Sequence, residues 1–174
     1  PPMTRPSLLF GDQLPHLQAF AASSGVVDCR VERPASLTMS ARAFVVAIDL
    51  RTTSTSQTAR RQLKSVLKDA VVEARRYGQF AHFIVVYAAD LGDARLESVA
   101  AGLATRVHAS LERELGESVD VVLLDVTGCE SPEGLSRRLA AHIQRPAGTA
   151  SDSALRWRDV EARSIAAAAM SDYF

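Results

Sequence analysis

Three near-continuous apolar runs, AFVVAIDL at 43–50, HFIVVYA at 82–88 and VDVVLLDV at 119–126, most constrain what this chain can fold into. A strand with one face in water alternates apolar and polar residues. These runs are rich in β-branched residues and hardly alternate, so both of their faces are covered. The stretches between them have helical periodicity. Leu63, Val66, Leu67, Ala70, Val71, Ala74 and Tyr77 form one apolar stripe, ended by Gly78. Leu96, Val99, Leu103, Val107 and Leu111 form another within Ala94–Leu115, ended by Gly116. Buried strands joined by helices of crossover length predict a three-layer α/β domain, a mostly parallel sheet flanked by helices. Right-handed crossovers are expected.

The flanks are less regular. Ser7–Phe10 reads as a short strand ending at Gly11-Asp12, and Pro15–Ser23 as a short helix. Val26–Glu32 alternates like a half-buried strand, and Ser36–Met39 reads as a short edge strand. Residues 26–50 are therefore expected to add an antiparallel hairpin at one edge. Ser131-Pro132-Glu133 starts a helix running to about Ile143. The polar stretch QRPAGTASDS reads as a connection, and Ala154–Met170 as a last helix capped by Asp152 or Ser153. The expected division is an α/β domain over 1–146, with 147–174 as a connection and a helix docking on that domain.

With 174 residues the chain suits one domain with a full core. Twenty basic and twenty acidic residues leave no overall field toward nucleic acid or membrane. Cys29 and Cys129 form no CxxC or Cys/His pattern, which argues against a disulfide scaffold or zinc finger. No run reads as a membrane span, and PPMTRPS lacks the apolar stretch of a secretory leader, so the expected location is cytoplasmic.

Acids recur at predicted strand ends: Asp12, Asp49, Asp90 and Asp125. In a parallel sheet these ends share the edge where open α/β sheets bind ligands. Carboxylates gathered there, with Asp49 and Asp125 as first ligands, would hold Mg2+. No other cofactor is expected. Thr52, Thr53 and Ser54 lie between a strand end and a helix start, where amides and hydroxyls can receive an anion. The competing structural reading is a capping box, Ser54 to Gln57. Arg60, Lys64 and Lys68 form a basic stripe opposite the apolar face, a possible phosphate contact and otherwise a solvated face. The four histidines include no HExxH or HxxxH pair. His82 opens a buried strand and His142 borders an apolar stripe, so both read as core or boundary residues.

IDLRTTST resembles the phosphate loop of sugar-kinase and actin-like ATPases, with Arg51 where that family has glycine. The order helix, strand with Asp28, hairpin, strand ending in Asp49-Leu50-Arg51, helix, strand is similar to PD-(D/E)xK nucleases. That resemblance implies acids on Mg2+ and a basic group beside the attacking water. Arg51 stands where the family has lysine, which implies a degenerate relative.

The function expected is a binding or assembly module. Its partner would be another protein or a second copy, docked by the Ala-rich final helix; nucleic acid is the lesser alternative. The enzymatic alternative is a Mg2+-dependent phosphate-ester hydrolase or nuclease-like domain using Asp28, Asp49, Arg51, Asp90 and Asp125.

Overall fold

The computed structural model describes residues 5–31, 40–90, 94–148 and 151–171. Among the described residues six strands form one sheet in the order β2-β1-β3-β4-β5-β6, and each of their pairings is parallel. The strands are β1 (Ser7–Gly11), β2 (Val26–Asp28), β3 (Ala43–Asp49), β4 (His82–Ala88), β5 (Asp120–Asp125) and β6 (Asp152–Arg156). The helices are α1 (Gln18–Ala21), entered through a 3-10 turn at Pro15–Leu17, α2 (Ser56–Ala74), α3 (Ala94–Leu115), α4 (Pro132–Ile143), α5 (Trp157–Val160) and α6 (Ile165–Ser171).

Strand alternation builds two apolar layers. Phe44, Val46 and Ile48 of β3 point to one side and pack with Phe83, Val85 and Tyr87 of β4 beneath Leu63 and Leu67 of α2 and Leu96 and Leu111 of α3. Val45 and Ala47 point to the other side with Ile84, Val86, Val122 and Leu124. There they meet Leu17 and Phe20 of the α1 region, Leu135 and Leu139 of α4, and Ile165 and Ala168 of α6. The three-layer sandwich expected from the apolar runs is what forms. Among the described residues no helix is long and apolar enough to cross a membrane.

The flanks differ from expectation. Among the described residues, 26–28 and 43–49 do not pair with each other as an antiparallel hairpin. β2 and β3 lie on opposite sides of β1, each parallel to it, because the β1–α1–β2 unit turns one way and β3 continues the other. The expected strand at Ser36–Met39 lies outside the described residues. The final helix is shorter than its pattern predicts. Residues 152–156 pair with β5 as a strand, with Ser153 and Leu155 buried. The Asp159 carboxylate then accepts the Arg156 amide at 2.8 Å and starts α5. The α2 cap is Thr55, whose hydroxyl accepts the Thr58 amide at 3.1 Å, rather than the Ser54–Gln57 box.

Among the described connections, one differs in hand from the other three. β1–α1–β2 moves one way across the sheet with its helix in one layer; β3–α2–β4 and β4–α3–β5 move the other way with their helices in the opposite layer. Those three therefore share one hand. β5–α4–β6 moves with the latter two, but α4 lies in the α1 layer, so its hand is opposite. Arg42 holds α4 there, donating to the carbonyls of Ile143 at 2.7 Å, Gln144 at 2.9 Å and Arg145 at 3.1 Å. These are carbonyls that a helix end leaves without an internal partner.

Candidate functional site at the carboxyl edge of the sheet

The chain leaves β1 toward β2 and leaves β3 toward β4, so the strand order reverses direction between β1 and β3. In open α/β sheets ligands sit in the crevice at such a switch point. Here the crevice is narrow. Gly11 has φ +101°, and a Cβ at this position would lie 2.1 Å from the Ala47 carbonyl oxygen. The Asp12 carboxylate then accepts the Asp49 amide at 2.8 Å, tying the two strand ends together.

Asp49 ends β3 facing its own arginine. One carboxylate oxygen accepts the Arg51 amide at 3.0 Å and Nε at 2.9 Å; the other accepts Nη2 at 2.9 Å. Asp28 repeats this arrangement at the end of β2, taking the Arg30 amide at 3.0 Å, Nε at 2.9 Å and Nη2 at 3.0 Å. Arg30 also donates to the Asp12 carbonyl at 3.2 Å, bridging neighbouring turns. The arginine hydrogen bonds are the main cause that holds both carboxyls below the usual carboxylate range. Asp125 ends β5 in a related turn, accepting the Thr127 amide at 2.9 Å and its hydroxyl at 2.6 Å.

These acids are engaged with partners two residues along, and the fold does not gather them. β3 and β5 are separated by β4, so their axes stand about 10 Å apart. Strand alternation puts Ile48 in one core layer and Leu124 in the other, which sends Asp49 and Asp125 toward opposite faces. Asp28 lies beyond β1 on the other side. Asp90 is exposed just past β4 and raises the pKa of Arg51 only as a secondary influence after Asp49.

The hydroxyl run has separate fates. Thr53 donates to the Leu50 carbonyl at 2.6 Å, Thr55 caps α2, and Thr52 and Ser54 are exposed. Thr53, Ser54, Thr55 and Ser56 line a cavity of about 220 Å³ at the start of α2, with Asp90 in the same lining. That carboxylate opposes an anion there. Lys64 and Lys68 are exposed and Arg60 is half-buried on the outer face of α2, as the stripe predicts.

Sequence reasoning passed over two features. His16 precedes α1 near this edge, and its Nδ1 is buried with no hydrogen-bond partner among the described residues; burial first, then the charge of Arg51, lowers its pKa. Among the described residues, the group of three or more potential metal donors lies at the opposite edge: His82, Asp120 and His142. Its one sequence signal is a histidine and an aspartate at the first position of adjacent strands. Cys129 is buried, and that burial raises its thiol pKa. No protein-family model, no curated protein and no solved structure matches this chain.

Proposed function

We propose that the chain is a non-catalytic binding or assembly module of the cytoplasm, engaging a protein partner or a second copy of itself. The observation that carries this reading is how the carboxyl edge uses its charges. Asp28 and Asp49 are each clamped by an arginine two residues on, Asp12 joins two strand ends, and Asp125 closes a turn. A carboxylate serving as general base or Mg2+ ligand needs oxygens turned toward the substrate. Both oxygens of Asp28 and of Asp49 face their own backbone and arginine, and one oxygen each of Asp12 and Asp125 is taken by a backbone amide. The alternative, a Mg2+-dependent phosphate-ester hydrolase, needs two carboxylates on one ion, and the nuclease resemblance needs a hairpin between Asp28 and Asp49.

The final helix contributes little free surface, because Ile165, Ala166, Ala168 and Ala169 are buried on the chain's own sheet. A groove of about 540 Å³ between α4 and α5 is the better support for a partner. Trp157 lies in it beside Gly134, and Glu130, Arg137 and Glu161 surround it. An aromatic floor with mixed charge at the rim suits a protein side chain.

The test compares two predictions of the rival readings. The expected result is an unchanged melting temperature with millimolar Mg2+ and no cleavage of a phosphodiester such as bis-p-nitrophenyl phosphate. Mg2+-dependent cleavage lost in Asp49→Asn would sink the proposal. Sedimentation of the chain alone separates a second copy from another partner. Ala141→Arg in the groove should abolish association while leaving melting unchanged.

A further inference from the structure

His82, Asp120 and His142 come from the start of β4, the start of β5 and the last turn of α4. They meet at the amino edge of the sheet, away from the strand-end acids. His82 and Asp120 are register partners on adjacent strands. All three are closed off from solvent, at 0%, 1% and 2% exposure in that order. One nitrogen from each ring and one Asp120 carboxylate oxygen lie within 4.8 Å of one another.

The hydrogen bonds around the group orient donors inward. His82 Nε2 lies 2.7 Å from the Arg145 carbonyl oxygen, which can only accept, so Nε2 carries the proton. That leaves the Nδ1 lone pair for another donor, and Nδ1 is buried with no hydrogen-bond partner among the described residues. Neither ring nitrogen of His142 has a hydrogen-bond partner among the described residues. The rings stand edge to face with centroids 4.8 Å apart. Asp120 is steadied by the amides of Gly148 at 2.7 Å and Ser151 at 3.1 Å. A backbone carbonyl behind a histidine and amides behind a carboxylate are the outer contacts that orient metal ligands. Buried polar atoms without partners are rare and destabilising. Clustering of three such atoms on two adjoining rings points to a ligand between them.

We propose that His82 Nδ1, one nitrogen of His142 and the Asp120 carboxylate form a binding site for a divalent transition cation of the Zn2+ class. Two imidazoles and one carboxylate favour such an ion over Mg2+ or Ca2+, which take all-oxygen sets. Ligand atoms about a tetrahedral Zn2+ stand roughly 3.3 Å apart, given bonds of about 2.0 Å. The three donors therefore draw inward on binding, and a solvent molecule takes the fourth position. Arg42 and Arg145 bring positive charge to this edge, and Asp120 supplies the opposing negative charge. With the donors enclosed, the ion's role is to lock α4 to the first residues of β4 and β5. The proposal stands apart from the binding-module reading, because it uses neither the groove nor the carboxyl edge.

The test begins with the whole chain stripped by EDTA, unfolded in urea and refolded with ZnCl2 or CoCl2, so that access to a buried site does not limit loading. Zn2+ at roughly a hundredfold excess over Kd should raise the melting temperature by about 5–10 °C. Co2+ should give visible absorption bands of a four-coordinate centre. His82→Phe and His142→Phe should each lose both signals, and Asp49→Asn should keep them. His142→Gln should show the same loss if phenylalanine does not fit. A wild-type chain with no thermal gain and no Co2+ bands would overturn the proposal, and so would a gain that survives His142→Phe or His142→Gln. A site that holds only water gives neither signal.

Discussion

The two edges of one sheet treat their polar side chains in opposite ways. At the carboxyl edge, Asp28, Asp49 and Asp125 find partners two residues along the chain, in turns that also satisfy a backbone amide. At the amino edge, His82, Asp120 and His142 come together from three separate elements, and three of their ring nitrogens lack hydrogen-bond partners among the described residues. Polar groups at the first edge stabilise the piece of chain they sit in. Those at the second depend on the assembled fold, so their removal should be felt across the whole domain.

The largest expected effect lies at the amino edge. Asp120→Ala leaves the Gly148 and Ser151 amides without their acceptor beside a closed interior and should cost about 3 kcal/mol, read from urea midpoints. Arg42→Ala should cost about 2 kcal/mol, because three carbonyls at the end of α4 lose a charged donor. Its loss should also raise hydrogen exchange in α4 more than in α3. At the carboxyl edge, Asp49→Ala should cost about 1 kcal/mol or less, since Arg51 is partly solvated. An equal cost at Asp49 and Asp120 would break the comparison.

The smallest expected effect is on pH dependence. Asp28 and Asp49 have folded pKa values below their ordinary value of 3.8. Their contribution is complete above that value and is lost as pH falls through the depressed folded values, where the unfolded chain binds more protons. Arg30→Gln with Arg51→Gln should flatten the fall in stability below about pH 4. An unchanged acid limb in that variant would show that the pairs contribute nothing measurable.

Legibility in the sequence follows the same division. The three central strands and the α2 and α3 helices were readable because burial on both faces and a 3.6-residue stripe are local patterns. β6 was not. SDSALR carries the period-two burial of Ser153 and Leu155, but Ala, Leu and Arg favour helix, and pairing with β5 decided the matter. Asp49-Leu50-Arg51 was visible as an acid and a base, yet its repetition as Asp28-Cys29-Arg30 marks both as turn closures rather than chemistry. His82, Asp120 and His142 have no shared spacing, so only strand order and the placement of α4 beside α1 bring them together. The reversed hand of the β5–α4–β6 connection was equally hidden, because the hydrophobic stripe of α4 is the same whichever layer it joins.

Gly11 bears on how this chain can vary. With φ at +101° and the Ala47 carbonyl oxygen 2.1 Å from where a Cβ would sit, both its backbone and its surroundings reject every other amino acid. Gly25 and Gly102 meet nothing within 4 Å and have no such backbone demand. In a saturation library selected for folded protein, position 11 would return glycine alone while positions 25 and 102 filled with alternatives. The seam between β1 and β3, where a sheet of this order would open a pocket by trading glycine for larger side chains, is thus closed to gradual change.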